Sequence, residues 1–157
     1  MIAKNCDGKV PQPQPQLPDT GTAMLEEADA LHSTLRDAME GQSLHLALAA
    51  LWGVVANANR YFASEEPWAL RKTDPDRMAS VLYVTAETLR QVAILAQPFM
   101  PDAMGRLLDQ LGIGEDARDF SQLNSDHRIA AGTSIEKPSP VFPRYVEAEN
   151  DDAASAD

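Results

Sequence analysis

Apolar side chains recur through the middle of this chain at steps of three and four, the spacing of one face of an α-helix. Met24, Ala28, Leu31, Leu35 and Ala38 form the first such stripe. They predict a helix from about Thr20 to Glu40, capped by Asp19 or Thr20 and stopped at Gly41. Leu44, Leu48, Leu51, Val55, Ala58 and Phe62 form the second, predicting a helix from the N-cap Ser43 to about Glu65. Leu46 and Trp52 widen this stripe, so this helix is expected to be the most buried of all. Asp74-Pro75 opens a third helix, an acidic cap followed by proline in the first turn. Its stripe is Met78, Leu82, Thr85, Leu89, Val92 and Ala96, with Val81 and Ala93 beside it and Tyr83 facing either solvent or a neighbouring helix. Pro98 and Pro101 end it, and a short fourth helix starts at Asp102, with Met104, Leu107, Leu108 and Leu111 inward and Gly112 and Gly114 behind it.

The flanks lack this period. Met1 to Lys9 reads as the end of a helix, with Gly8 as a left-handed cap. Val10 to Pro18 alternates proline with glutamine and should be extended, as a spacer or as a proline-rich docking segment. Asp116 to Thr133 is polar and mixed, with Phe120 and Leu123 as anchors on the bundle. Prolines 138, 140 and 143 exclude helix from Ile135 to Tyr145, although Val141, Phe142 and Tyr145 can still pack. The sum is an all-α protein: an antiparallel bundle of three long helices and a short fourth, followed by an extended peptide.

At 157 residues the chain can bury one core. Its net charge of −11 argues against general affinity for nucleic acid, which needs many cations to displace counterions. Nearly half of that charge sits in a tail, on Glu147, Glu149, Asp151, Asp152 and Asp157, and this tail is expected to be disordered. Any RNA binding must therefore be local and specific. Cys6 is the single cysteine, expected to be an inert thiol in a reducing compartment. No signal peptide or membrane-length apolar run stands out. Histidines 32, 45 and 127 lack metal-ligand spacing, and neither a glycine-rich phosphate loop nor a nucleophile motif is present.

One stretch stands apart, from Asn57 to Lys72. Pro67 must stop the second helix at Glu66, and Trp68 sits beside the stop. Arg60, Arg71, Lys72 and Arg77 lie near it, as do Glu65, Glu66, Asp74 and Asp76, which cancel them formally. A tryptophan after a helix end often plugs a small bundle. An aromatic plane among cations also suits an unpaired base and its phosphates.

The second reading gains weight from a resemblance. Ala58-Asn59-Arg60-Tyr61, a short spacer and Glu66-Pro67-Trp68 resemble the C-terminal, anticodon-binding helical domain of bacterial methionyl-tRNA synthetases. Gln97-Pro98-Phe99-Met100-Pro101 resembles that domain's break between helices, and Ile135 to Arg144 its closing Lys-Pro-x-Pro-Leu-Phe-Pro-Arg peptide. The resemblance implies a class Ia synthetase anticodon-binding bundle over 19–124. It follows a helix remnant and Pro/Gln linker over 1–18 and precedes a return peptide over 125–146 and the tail over 147–157. It implies that Trp68 stacks on an anticodon base and that Pro67 fixes the ring. Arg71 and Lys72, with Arg60, would contact phosphate or ribose, and Asn59 would support the corner by a hydrogen bond across the bundle. An asparagine and an arginine of the family's first helix, which help to read the anticodon, fall before Met1. So do the His-Ile-Gly-His and Lys-Met-Ser-Lys-Ser motifs of the catalytic part, so this chain is expected to be inactive alone, with ATP and zinc belonging to that part. The implied partners are tRNA for methionine and the catalytic domain, in the cytoplasm, with neither DNA nor membrane. Without the catalytic domain's surface, Val141 and Phe142 of the return peptide are expected to be exposed. The alternative is a stand-alone helical protein-interaction module without RNA binding, in which loss of the leading helix exposes an apolar groove able to capture a partner helix.

Overall fold

Proline and glycine punctuate the chain much as the pattern requires. The computed structural model describes residues 1–143. Within them run α1 (Ile2–Asn5), α2 (Asp19–Glu40), α3 (Leu44–Glu65), α4 (Pro67–Thr73), α5 (Pro75–Ala96) and α6 (Pro101–Gln110), followed by three single 3-10 turns between Glu115 and His127. The expected acidic tail and Tyr145 lie outside the described residues. Among those residues no helix is long and apolar enough to cross a membrane. Three long helices and a shorter one near the C-terminal side match the expectation. The additional helix α4 does not, because Pro67 both ends α3 and opens the next helix at its first position.

The centre of the bundle is α5, not α3. Helices α2, α3, α4 and α6 all pack on α5, and it is buried almost all round from Ser80 to Ala96. The one-sided stripe read from its sequence was too narrow because its other face is polar and internally paired. Glu87 and Arg90 are 0% and 2% exposed. Arg90 donates to both carboxylate oxygens of Glu87 at 2.8 and 2.9 Å and to the Gln122 carbonyl. Glu87 also accepts from Gln91 and from the Ile129 backbone N–H at 2.9 Å. Gln91 and Arg128 both donate to Asp29 on α2. A buried charge demands partners of this kind. The polar segment behind α6 is fastened to α5 by them, with Ile129 buried in the core and Leu123 packed against it. Phe120 is largely exposed and lies against His32, ring centroids 5.5 Å apart.

On α3 the face toward α2 and α5 carries Ala47, Leu51, Val54 and Tyr61. Leu51 belongs to the expected stripe, Ala47, Val54 and Tyr61 lie one residue before its Leu48, Val55 and Phe62, and Val55, Ala58 and Phe62 pack against the core partly buried. Leu46 and Trp52, expected to widen the stripe, are exposed, Trp52 by 50%, and so is Leu44, expected to begin it. Helix α3 thus has more apolar surface than the core uses. Ser43 does not cap α3 with its side chain, and neither Asp19 nor Thr20 caps α2. Asp74 does cap α5, accepting from the Arg77 backbone N–H at 3.0 Å.

The Pro/Gln segment is extended but not a loose spacer. Val10 is buried, Leu17 packs on the core, and the Gln14 N–H donates to the Ser80 hydroxyl at 3.0 Å. The return peptide joins it: Val10 N–H donates to the Thr133 carbonyl, Gly132 N–H to that of Val10 and Ile135 N–H to that of Gly8. Farther on, Val141 is partly buried and its carbonyl accepts from Arg106, whereas Phe142 is exposed. Gly112 makes the turn that lets this peptide pass α6. It adopts φ +71°, and a Cβ there would collide with the Ser134 carbonyl oxygen. Gly112→Ala is therefore expected to destabilise the fold by about 2 kcal/mol or more, from left-handed strain plus displacement of the peptide, as read by chemical denaturation.

Candidate nucleic-acid interface

Helix α3 ends at Glu65, and Glu66 turns the chain with φ 46° and ψ 54°. That left-handed conformation costs a non-glycine residue about 1–2 kcal/mol, so the surroundings must impose it. Pro67 is buried, which fixes the start of α4. Trp68 follows, 52% exposed, its ring centroid 6.1 Å from that of Phe62 with planes tilted by 56°. The ring is neither a buried plug nor free: one side rests on Phe62 and much of it meets solvent. Arg71 and Lys72 are both exposed. They stand three and four residues beyond Trp68, so all three share one face of α4. Arg71 also reaches the Asn5 side-chain oxygen of α1 at 3.3 Å.

The remaining expected residues lie elsewhere. Arg60 donates to Asn57 at 2.6 Å, and Asn57 donates to Glu27 of α2. Arg60 is roughly 200° around α3 from Phe62 at 3.6 residues per turn, on the side toward α2, so it does not join the Trp68 face. Asn59 is exposed and makes no side-chain hydrogen bond among the described residues. The bond across the bundle expected of it is made by Asn57, which reads from sequence as an off-stripe polar residue like any other.

Arg77 is also committed. It donates through Nε and Nη2 to Glu65 at 3.0 and 2.9 Å, and Thr20 of α2 donates to the same carboxylate at 2.7 Å. Burial, then the adjacent Glu65 carboxylate, push the Tyr61 phenol above its ordinary range. Burial likewise raises the Cys6 thiol, which favours the unreactive protonated form. Among the described residues, the cations at the corner with no carboxylate partner are therefore Arg71 and Lys72, with Glu66, Asp74 and Asp76 exposed nearby.

A groove between α3 and α5 lies beside this corner. One cavity of about 230 Å³ is lined by Met1, Ile2, Phe62, Leu89 and Leu107 among others. A second of about 210 Å³ is lined by Val55, Ala58, Asn59, Phe62, Thr88 and Val92. Phe62, Thr85 and Leu89 belong to both. The Thr88 hydroxyl is buried with no partner among the described residues.

Comparison with known proteins decides the family. A profile of the anticodon binding domain of methionyl tRNA ligase matches residues 10–156. The chain belongs to that family. Methionine–tRNA ligase of Rhizobium meliloti is 57% identical over 149 residues, which is 95% of this chain and 29% of the relative. Methionine–tRNA ligase of Mycobacterium leprae is 42% identical over 153 residues, 95% of this chain and 28% of the relative. The crystal structure of apo Mycobacterium tuberculosis methionyl-tRNA synthetase superposes with a TM-score of 0.88 at 41% identity. It covers 94% of this chain and 30% of that one. The chain thus spans less than a third of the length of the curated relatives it matches. As a methionyl-tRNA ligase anticodon-binding domain, it has the all-helical bundle that its sequence resemblance implied.

Proposed function

We propose that this domain reads the anticodon of a methionine tRNA through the Trp68 face of α4, as one part of a longer, cytoplasmic methionine–tRNA ligase. The half-exposed Trp68 ring, braced by Phe62 and flanked by Arg71 and Lys72, supports this reading most directly. An unpaired base has a π-face for the indole whatever its sequence, and two cations on the same helix face suit the neighbouring phosphates. Pro67 keeps the ring in place from beneath. Arg60, bonded to Asn57 on the α2 side of α3, is left off this face. Charging with methionine, and the ATP and zinc chemistry that goes with it, is assigned to the rest of the longer protein.

The experiment is a titration with initiator methionine tRNA, and with the same tRNA carrying a changed anticodon, at one low, stated salt concentration. Tighter binding to the unchanged tRNA is expected, and equal affinities would refute anticodon reading. Over a salt series, Arg71→Ala and Lys72→Ala should each reduce the slope of log K against log salt by about 0.7, one phosphate contact on a single strand. An unchanged slope would remove that residue from the interface.

The groove favours a second reading, in which the domain takes up a helix of protein. Helix α1 points its first residues into the groove: Met1 and Ile2 line it together with Phe62 and Leu89. A shift of the 157-residue chain to dimer in sedimentation, with no affinity for either tRNA, would favour the interaction-module reading over the anticodon one.

A further inference from the structure

We propose that Glu65 is a positioning residue for Trp68, holding the indole at the angle in which it can accept a base; this rests on the reading of Trp68 given above. Glu65 is the last residue of α3 and only 8% exposed, an unusual place for a carboxylate. Its two oxygens join three helices. Oε1 accepts from Thr20 in the first turn of α2, and Oε2 accepts twice from Arg77 in the first turn of α5. The chain leaves this clamp through the left-handed Glu66 and enters α4 at the buried Pro67, with Trp68 next.

A strained residue persists where its neighbours over-determine it. Here the clamp fixes the chain before Glu66, and the buried proline fixes it after. The direction in which α4 sets off, and with it the plane of Trp68, follows from those two anchors. Arg77 commits its guanidinium to this carboxylate, so although its side chain is partly exposed it does not add an unpaired cation to Arg71 and Lys72. The side chain of Glu65 points inward to Thr20 and Arg77, so it touches no RNA and acts only through the backbone it anchors.

Two arms test this on the whole 157-residue chain. In the first, acrylamide quenching is read from Trp68 alone in a Trp52→Phe background, and from Trp52 alone in a Trp68→Phe background. Glu65→Gln, nearly the same size, should move Trp68 quenching toward the free-indole value and leave Trp52 unchanged. Arg77→Lys should do the same more weakly and serves as the second variant if Glu65→Gln loses helicity. Unchanged Trp68 quenching in both variants, or equal changes at both tryptophans, overturns the proposal.

The second arm is a cycle on tRNA binding. Glu65→Gln should weaken binding roughly ten-fold, the scale of one lost charge-assisted hydrogen bond, but have no further effect once Trp68→Ala is present. An equal loss in both backgrounds overturns the positioning role. If Trp68→Ala itself leaves binding unchanged, the anticodon reading fails, and the quenching arm still judges the clamp.

Discussion

Trp68→Ala is expected to weaken binding of the cognate tRNA by about 1–3 kcal/mol, the general cost of removing a base-stacking aromatic. The bundle should hardly notice. Half of the ring already meets solvent, and its contact with Phe62 is tilted and lies at the edge of the core. A surface truncation of this kind usually shifts stability within about 0.5 kcal/mol, with somewhat more here for the lost aromatic contact. Titration and a thermal melt on the same variant separate the two accounts. Lost affinity with a nearly unchanged melting temperature makes Trp68 a reader. A large fall in melting temperature with proportionate loss of binding makes it the plug that helix-end tryptophans ordinarily are.

The opposite pattern is expected at the other side of α5. Glu87→Ala should destabilise the domain by about 3–5 kcal/mol, because Arg90 is left buried without its counter-charge. Domains of this size are stable by only about 5–15 kcal/mol, so thermal unfolding should come far earlier. The Ile129 N–H also loses its acceptor, so the segment from Glu115 to Thr133 should become sensitive to brief proteolysis before the helices do. Replacing both partners by apolar residues, as in Glu87→Leu with Arg90→Met, should restore much of the stability, since an apolar pair leaves no stranded charge. If the single variant melts like the parent, the buried pair is not what fastens that segment.

These two residues also show what a sequence can and cannot tell. The stripe of α2 reads correctly because apolar side chains meet a core on one side and water on the other. Helix α5 misleads because Glu87, Arg90 and Gln91 look like a solvated face until Asp29, Gln122 and Ile129 are seen around them. Those partners lie between 32 and 62 positions away along the chain, beyond any local pattern. Helix α3 misleads in the reverse sense: Leu44 and Trp52 look like core and are exposed. Helix α4 is not legible in the sequence because seven residues are too few for a period to show, and because a proline reads first as an ending. At the corner, Trp68 and Pro67 follow from the motif itself. The separation of Arg60 from them, the hydrogen bonding of Asn57 in place of Asn59, and the clamp at Glu65 depend on which way each side chain leaves its helix.

The clasp between Gly8–Val10 and Gly132–Ile135 bears on how the domain is made. Its two halves leave the ribosome more than a hundred residues apart, and contacts of such high sequence separation form slowly and late. Until Ile129 and Thr133 have emerged, Val10 lacks its cover and the buried charges of α5 lack part of their partners. The helices can form in order as they are synthesised, but the domain cannot lock until almost all of the described chain is free. A nascent chain stalled after α6 should therefore be a substrate for chaperones and proteases, whereas one released a few dozen residues later should resist both.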